Sequence, residues 1–150
     1  MPDPFTELED ALVAAAEADA IVAANARVFA WADDSASGKV GLKGRLKVRF
    51  VDQQSSPPTA PSRRFQQEDA TVFECRLGVK SMRGHAGAYP AVWALRQAVS
   101  GLTPTLSAPG VATRLPGFYH VETGVVGFDD AHSVWVFAVM FAINLIYRES

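Results

Sequence analysis

The feature that most constrains this chain is its end, HSVWVFAVMFAINLIYRES, where Val134 to Ile146 form a nearly unbroken apolar run. A membrane-spanning helix needs about 20 consecutive apolar residues. Here His132 and Arg148 bracket fewer, and Asn144 interrupts them. Odd positions carry Trp135, Phe137, Val139, Phe141, Ile143, Leu145 and Tyr147, whereas even positions are smaller and more mixed. Bulky, β-branched alternation of this kind predicts a long strand with one heavily buried face and a second, partly covered face. A buried helix is the alternative that an apolar run leaves open.

With 150 residues, 49% of them hydrophobic, the chain can bury a real core and reads as one domain over 1–150. A formal charge of −2 predicts no general affinity for nucleic acid or anionic membranes. The one cysteine, Cys75, cannot form an intramolecular disulfide and reads as a reduced, intracellular thiol packed like a small apolar side chain. The opening MPDPFTELED is acidic and lacks the basic and apolar regions of a secretion signal, so no export is expected.

Residues PFTELEDALVAAAEADAIVAANA predict a helix, capped by Asp3 before Pro4 or by a Thr6-x-x-Glu9 box. Its packing stripe is Leu8, Leu12, Ala16 and Ile21, with Glu7, Glu9, Asp10 and Asp19 toward solvent. RVFAW reads as a short strand. In GRLKVRFVD, Leu46, Val48 and Phe50 point one way, and Arg45, Lys47 and Arg49 the other. That cationic face suits phosphate or an acidic protein surface, with an ordinary solvated face as the alternative. The Pro-rich segment over 53–68 predicts a long mobile loop holding a basic-aromatic cluster, Arg63, Arg64 and Phe65. ATVFECRLGVK resumes alternation, with Phe73, Cys75, Leu77 and Val79 opposite Glu74 and Arg76, completing an antiparallel hairpin. MRGHAGAYPAVWALRQAVSGL reads as the second helix, with Val92, Leu95, Val99 and Leu102 as its stripe, Pro90 in its first turn and Gly101 as terminator. One or two short strands come next, with turns at Gly117, Gly124 and Asp129–Asp130. The fold class expected is α+β: a mostly antiparallel sheet packed by an N-terminal and a central helix, ending in a long strand.

Motifs for chemistry are weak. His85, His120 and His132 lack metal-ligand spacing to one another or to Cys75, and no cofactor is implied. HVE at 120–122 has no accompanying P-C-x-x-C. DDAH at 129–132 pairs a carboxylate with an imidazole, but no G-x-S-x-G or reactive cysteine accompanies it. SGKVG does not satisfy a phosphate-loop pattern. GHAGAYP precedes a helix, so its N–H groups offer an anion cradle or simply a flexible helix entry. No catalytic, cofactor or metal residue is assigned, and the expectation is a protein that is not an enzyme. The candidate contact residues are Arg45, Lys47, Arg49, Arg63, Arg64 and Phe65. A ligand pocket lined by Tyr89, Trp93 and Trp135 is the competing reading, and an enzyme built on Asp129, Asp130 and His132 is a third.

GAYPAVWALRQAVSGL, a Pro/Gly connector and the closing VWVFAVMFAINLIYR together resemble the tail terminator proteins of contractile-tailed bacteriophages, in particular the Mu-like phage and prophage group. Gly87, Ala88, Tyr89, Leu95, Arg96, Trp135, Val136 and Phe141 carry the resemblance. It implies a structural protein of the virion tail, assembled in the bacterial host cytoplasm. Its partners would be itself, in a ring of six subunits, the tail tube and sheath, and the head–tail connector. The ring would stop tube polymerisation and join tail to head. Neither a membrane nor sequence-specific nucleic acid binding is implied.

Overall fold

The computed structural model describes residues 3–31, 44–58, 66–82 and 87–148. Helix α1 (Pro4–Ala18) begins at Asp3, whose carboxylate accepts from the Thr6 N–H at 2.8 Å, so the Asp3–Pro4 start is the one realised. Leu8, Leu12 and Ala16 are buried as the spacing predicts. The helix does not continue through the alanines. Asp19 turns extended and accepts from the Ile21 and Val22 N–H groups, opening a separate short helix, α2 (Ala20–Asn25). A short carboxylate that competes for backbone donors is what interrupts the helix. The break shifts the apolar stripe by one residue, so Val22 is buried and Ile21 exposed, contrary to expectation.

Strands β1 (Ala26–Ala30), β2 (Gly44–Ser55) and β3 (Gln66–Val79) follow. Then come α3 (Ala88–Val99), β4 (Val111–Thr113), β5 (Tyr119–Asp129) and β6 (Val134–Arg148). The sheet runs β1-β2-β3-β6, and β4 and β5 both pair with the far edge of β6. Only β1 lies parallel to its neighbour; every other pairing is antiparallel, and the fold is α+β as expected. The C-terminal run is a strand. Phe137, Val139, Phe141, Ile143 and Leu145 are buried, while Val136, Ala138, Met140, Asn144 and Ile146 are half-buried.

Three further sequence expectations need correction. The segment 53–68 is not all loop. Gln53, Gln54 and Ser55 pair with Thr71, Ala70 and Asp69, and Gln66–Glu68 pair with the end of β6. Strand therefore takes up both ends of the segment, at 53–55 and 66–68. Polar residues are tolerated in these strands because they are bonded there: the Gln53 amide donates to Thr71 Oγ1 and to the Tyr147 hydroxyl, each at 3.1 Å. Gly124 is not a turn but a ladder residue of β5, opposite Ala138. In α3 the buried face is Ala88, Ala91, Ala94, Leu95 and Val99; Val92 is half-buried, and Tyr89 and Trp93 are exposed. Small side chains on that face let the helix sit close on the sheet. Gly101 does terminate the segment, with φ +84°.

All three helices lie on one face of the sheet. Leu8, Leu12, Val22, Leu95 and Val99 join Leu46, Val48, Phe73, Leu77, Phe137 and Phe141 in one core. Burying each of the large side chains contributes about 1.5–3 kcal/mol. The connector after α3 is pinned to α1 by Glu7, whose carboxylate accepts from the Ser107 N–H (2.8 Å), the Ser107 hydroxyl (2.9 Å) and the Ala108 N–H (3.1 Å). The Ser107 amide bond above all holds the Glu7 carboxyl below its ordinary value. A depressed folded-state value means that this contact contributes stability above the ordinary carboxylate range. The contribution fades as pH falls through that range toward the lower folded value. Glu7→Gln should reproduce the acid behaviour at neutral pH. Hydrogen exchange at the Ser107 and Ala108 amides is expected to quicken in the variant, with exchange elsewhere in the sheet unchanged.

Candidate functional site

The sheet face away from the helices carries the charge. In β2 the core-facing residues are Leu46 and Val48, so Arg45, Lys47 and Arg49 project from the opposite face, as their alternation requires. The β3 residues on that face are Glu74 and Arg76. Register places Arg49 opposite Glu74, and Lys47 opposite Arg76. Glu74, nearly buried, accepts from Arg49 Nε at 2.9 Å and from Arg76 Nη2 at 3.3 Å. Trp31, just past β1, lies under three cations: Arg49 Cζ at 4.2 Å, Lys47 Nζ at 5.1 Å and Arg76 Cζ at 5.3 Å from its ring centre. These lie within the distance at which an aromatic face attracts a cation.

This patch forms one wall of a cleft of about 590 Å³, with Arg45, Lys47, Arg76 and Trp31 facing residues from the β5–β6 hairpin. The hairpin contributes Asp129, His132 and Val136. His132 Nδ1 lies 2.7 Å from Asp129 Oδ2, and the Ala131 N–H donates to Asp129 Oδ1. The imidazole contact chiefly holds the Asp129 carboxyl below its usual value. Two links in sequence therefore close the turn between β5 and β6. Among the described residues the lining holds no serine, threonine or cysteine, so no hydroxyl or thiol nucleophile stands beside the carboxylate–imidazole pair there. Cys75 is buried in the core, where loss of solvation pushes its thiol up to about 12. A thiol so held is inert at neutral pH.

The remaining motifs resolve into structure. The Ala88 and Tyr89 N–H groups at the start of α3 donate to the carbonyls of Ser81 and Met82, at 2.9 and 3.1 Å, so these two donors are taken. His120 bonds to Thr123 Oγ1 and meets the Phe141 ring edge-on, and burial is the main reason its pKa lies below the ordinary imidazole value. Trp93 and Tyr89 stand largely exposed, and the Trp135 ring packs on Phe128 instead, so these three aromatics do not enclose a pocket. No metal-holding group of three His, Cys, Asp or Glu occurs among the described residues, and no helix there is long and apolar enough to cross a membrane. Of the six candidate contact residues, Arg45, Lys47 and Arg49 share the patch; Arg63, Arg64 and Phe65 lie outside the described residues. Sequence reading missed Trp31, Glu74 and Arg76 as members of the site. The signal was present in the second β3 face, which an antiparallel hairpin must lay beside the β2 cations.

A second surface is the β5 edge. This strand pairs with β6 on one side, and it leaves Tyr119, Val121, Val125, Val126 and Phe128 exposed. An edge of this length with that much apolar surface is a template for pairing or packing with another chain.

The sequence matches no family model and no curated protein. The fold is similar to that of a chain in the virion of a native gene transfer agent particle, with a TM-score of 0.54 and 15% identity. The likeness spans 94% of this chain and 96% of that one. At this identity the two chains share a fold.

Proposed function

We propose that this protein is a structural component of a phage-like virion, and specifically a tail terminator. In this reading, copies form a ring on the head-proximal end of the tail tube, halt its growth and present a surface to the head–tail connector. The observation that carries the reading is the fold shared, nearly end to end, with a virion chain. Two surface features support it. Among the described residues the sheet is covered by helices on one face only, and its β5 edge exposes five large apolar residues. A ring needs two different complementary surfaces whose repeated rotation closes on itself. An apolar edge and a charged cleft on one subunit supply two surfaces of distinct chemistry. Six subunits is the number proposed, with the tube, the sheath and the connector as the other partners.

Native mass measurement of the purified protein, alone and after mixing with tail tubes, tests the assignment. A ring-sized oligomer, alone or bound at tube ends, is the expected result. A monomer that leaves tubes unbound and still growing would overturn it.

A further inference from the structure

Two apolar surfaces stand toward opposite edges of the sheet. The first runs along α3 and β5. Tyr89, Trp93 and Arg96 follow one another at spacings of four and three residues, so they share one stripe of the helix, and all three are exposed. The Tyr89 ring meets Phe137 edge to face, with 6.3 Å between centres. Across the ladder Phe137 pairs with Val125, and Trp135, two residues back on the same face, pairs with Phe128. The Phe128 and Trp135 rings pack at 5.2 Å. Val125 and Phe128 therefore continue the surface that Tyr89 and Trp93 begin. Burial, and after it the Arg96 charge, lowers the pKa of His120 on β5, which places Arg96 beside that strand as well. Trp93 is 61% exposed, and Tyr89, Val125 and Phe128 are each about half exposed.

The second surface is a bulge in β2. Strand β1 pairs with β2 only as far as Val48, so Phe50 and Val51 lie past its end. The ladder to β3 shifts register between Phe50 and Asp52, which leaves Val51 as the extra residue. A bulged residue is unpaired and its strand bends there, so its side chain is re-aimed. Phe50 packs on Phe5 of α1, with ring centres 4.9 Å apart, yet it stays 40% exposed, and Val51 beside it is 41% exposed. Asp52, also exposed, follows directly. Strands β3 and β6 separate β2 from β5, three strand spacings or roughly 14 Å. With the core between them, the bulge and the α3–β5 surface of one molecule cannot meet.

We infer that the α3–β5 surface docks the Phe50–Val51 bulge of a second copy of this chain. The inference rests on the ring reading and names the apolar part of its subunit contact. Tyr89, Trp93 and Phe128 alone leave on the order of 300 Å² uncovered. That is a large share of the roughly 800 Å² each partner buries in a stable contact, and Trp and Tyr are residue types on which such contacts concentrate their energy. Charge favours this bulge as the occupant, since Arg96 borders the aromatic surface and Asp52 borders the bulge. The two surfaces differ and lie toward opposite edges. The contact is therefore heterologous and propagates head to tail, as closure into a ring requires.

The test blocks each surface separately in the full-length protein and reads native mass, alone and with tail tubes. Trp93→Asp and Val51→Asp should each weaken self-association about tenfold or more. Each variant keeps the surface that the other lacks. An equimolar mixture should therefore form a dimer and grow no further, a species that neither variant forms alone and that misfolded chains could not form. Asp52→Arg, which leaves the packing of the bulge untouched, should weaken association about threefold, and adding Arg96→Asp should restore it. If Trp93→Asp or Asp52→Arg forms rings as strongly as the wild type, the docking is overturned and the ring survives. A mixture that stays monomeric while circular dichroism reports native folding in both variants has the same consequence. Rings undiminished in Trp93→Asp that no longer bind tubes would overturn the second copy as occupant in favour of the tube. A wild-type chain that stays monomeric with tail tubes present overturns both the docking and the ring.

Discussion

Replacing Phe73 with alanine is expected to lower the unfolding free energy by about 3–5 kcal/mol, the cost of removing a fully enclosed aromatic ring and leaving its cavity. Phe73 is completely buried and sits where three strands meet, opposite Phe50 on β2 and Phe141 on β6. Its ring meets those of Phe50 and Phe118 edge to face, each at 6.0 Å between centres. No single element can collapse into the vacated space without moving the others. Urea denaturation should show the loss as a shifted midpoint with an unchanged slope. The melting temperature should fall by roughly 6–20 °C for a chain of this size. Val121→Ala, on the exposed β5 edge, serves as the control and should cost no more than about 0.5 kcal/mol. A loss below about 1 kcal/mol at Phe73 would mean that the three strands do not close around it.

Gly44→Ala should be nearly as damaging, by the opposite mechanism. A Cβ at position 44 would lie 2.3 Å from the Gly78 carbonyl oxygen, 2.7 Å from Val79 Cγ1 and 3.2 Å from the Asn25 carbonyl oxygen. Two of those contacts are backbone, next to the β1–β2 ladder, which starts at Gly44, and the β2–β3 ladder, which starts at Arg45 opposite Gly78. They cannot rotate aside as a side chain would. Overpacking of this kind costs about 1–3 kcal/mol, and fixed backbone places the expectation at the upper end. Gly78→Ala is the informative comparison. Its Cβ would touch only the Val134 side chain, at 3.4 Å, so the substitution should be mild. Equal losses at the two glycines, measured by the same denaturation, would contradict this account of the close approach.

The strands were legible to the degree that one of their faces is buried. Leu46 and Val48, then Phe73, Cys75 and Leu77, then Phe137 to Leu145, alternate because water lies nearer on one side of the sheet than the other. Where that contrast weakens, reading weakened too. Strand β5 exposes residues of both parities, so Gly124 looked like a turn. The polar ends of β2 and β3 resembled loop because their stability comes from ladder bonds, which leave no hydrophobic period. The alanine face of α3 was hidden by larger neighbours, Val92 and Trp93, that point elsewhere. At Asp19 the helical spacing predicts a solvent-facing carboxylate, whereas its bonds to two N–H groups split the helix.

The candidate site shows the same division. The β2 cations could be named from alternation alone. Arg76 follows from the hairpin, but Trp31, Asp129 and His132 could not be named, because they are brought to the cleft only by the parallel β1 pairing and the order β2-β3-β6-β5. By itself the sequence determined which side of each strong strand seeks the core, since burial of apolar area is a local property of residue order. Tertiary structure alone decided which strands became neighbours, which charges came to face one another and where backbone approaches too closely for any residue but glycine. Those outcomes depend on register between segments far apart in the chain, and no local pattern encodes register.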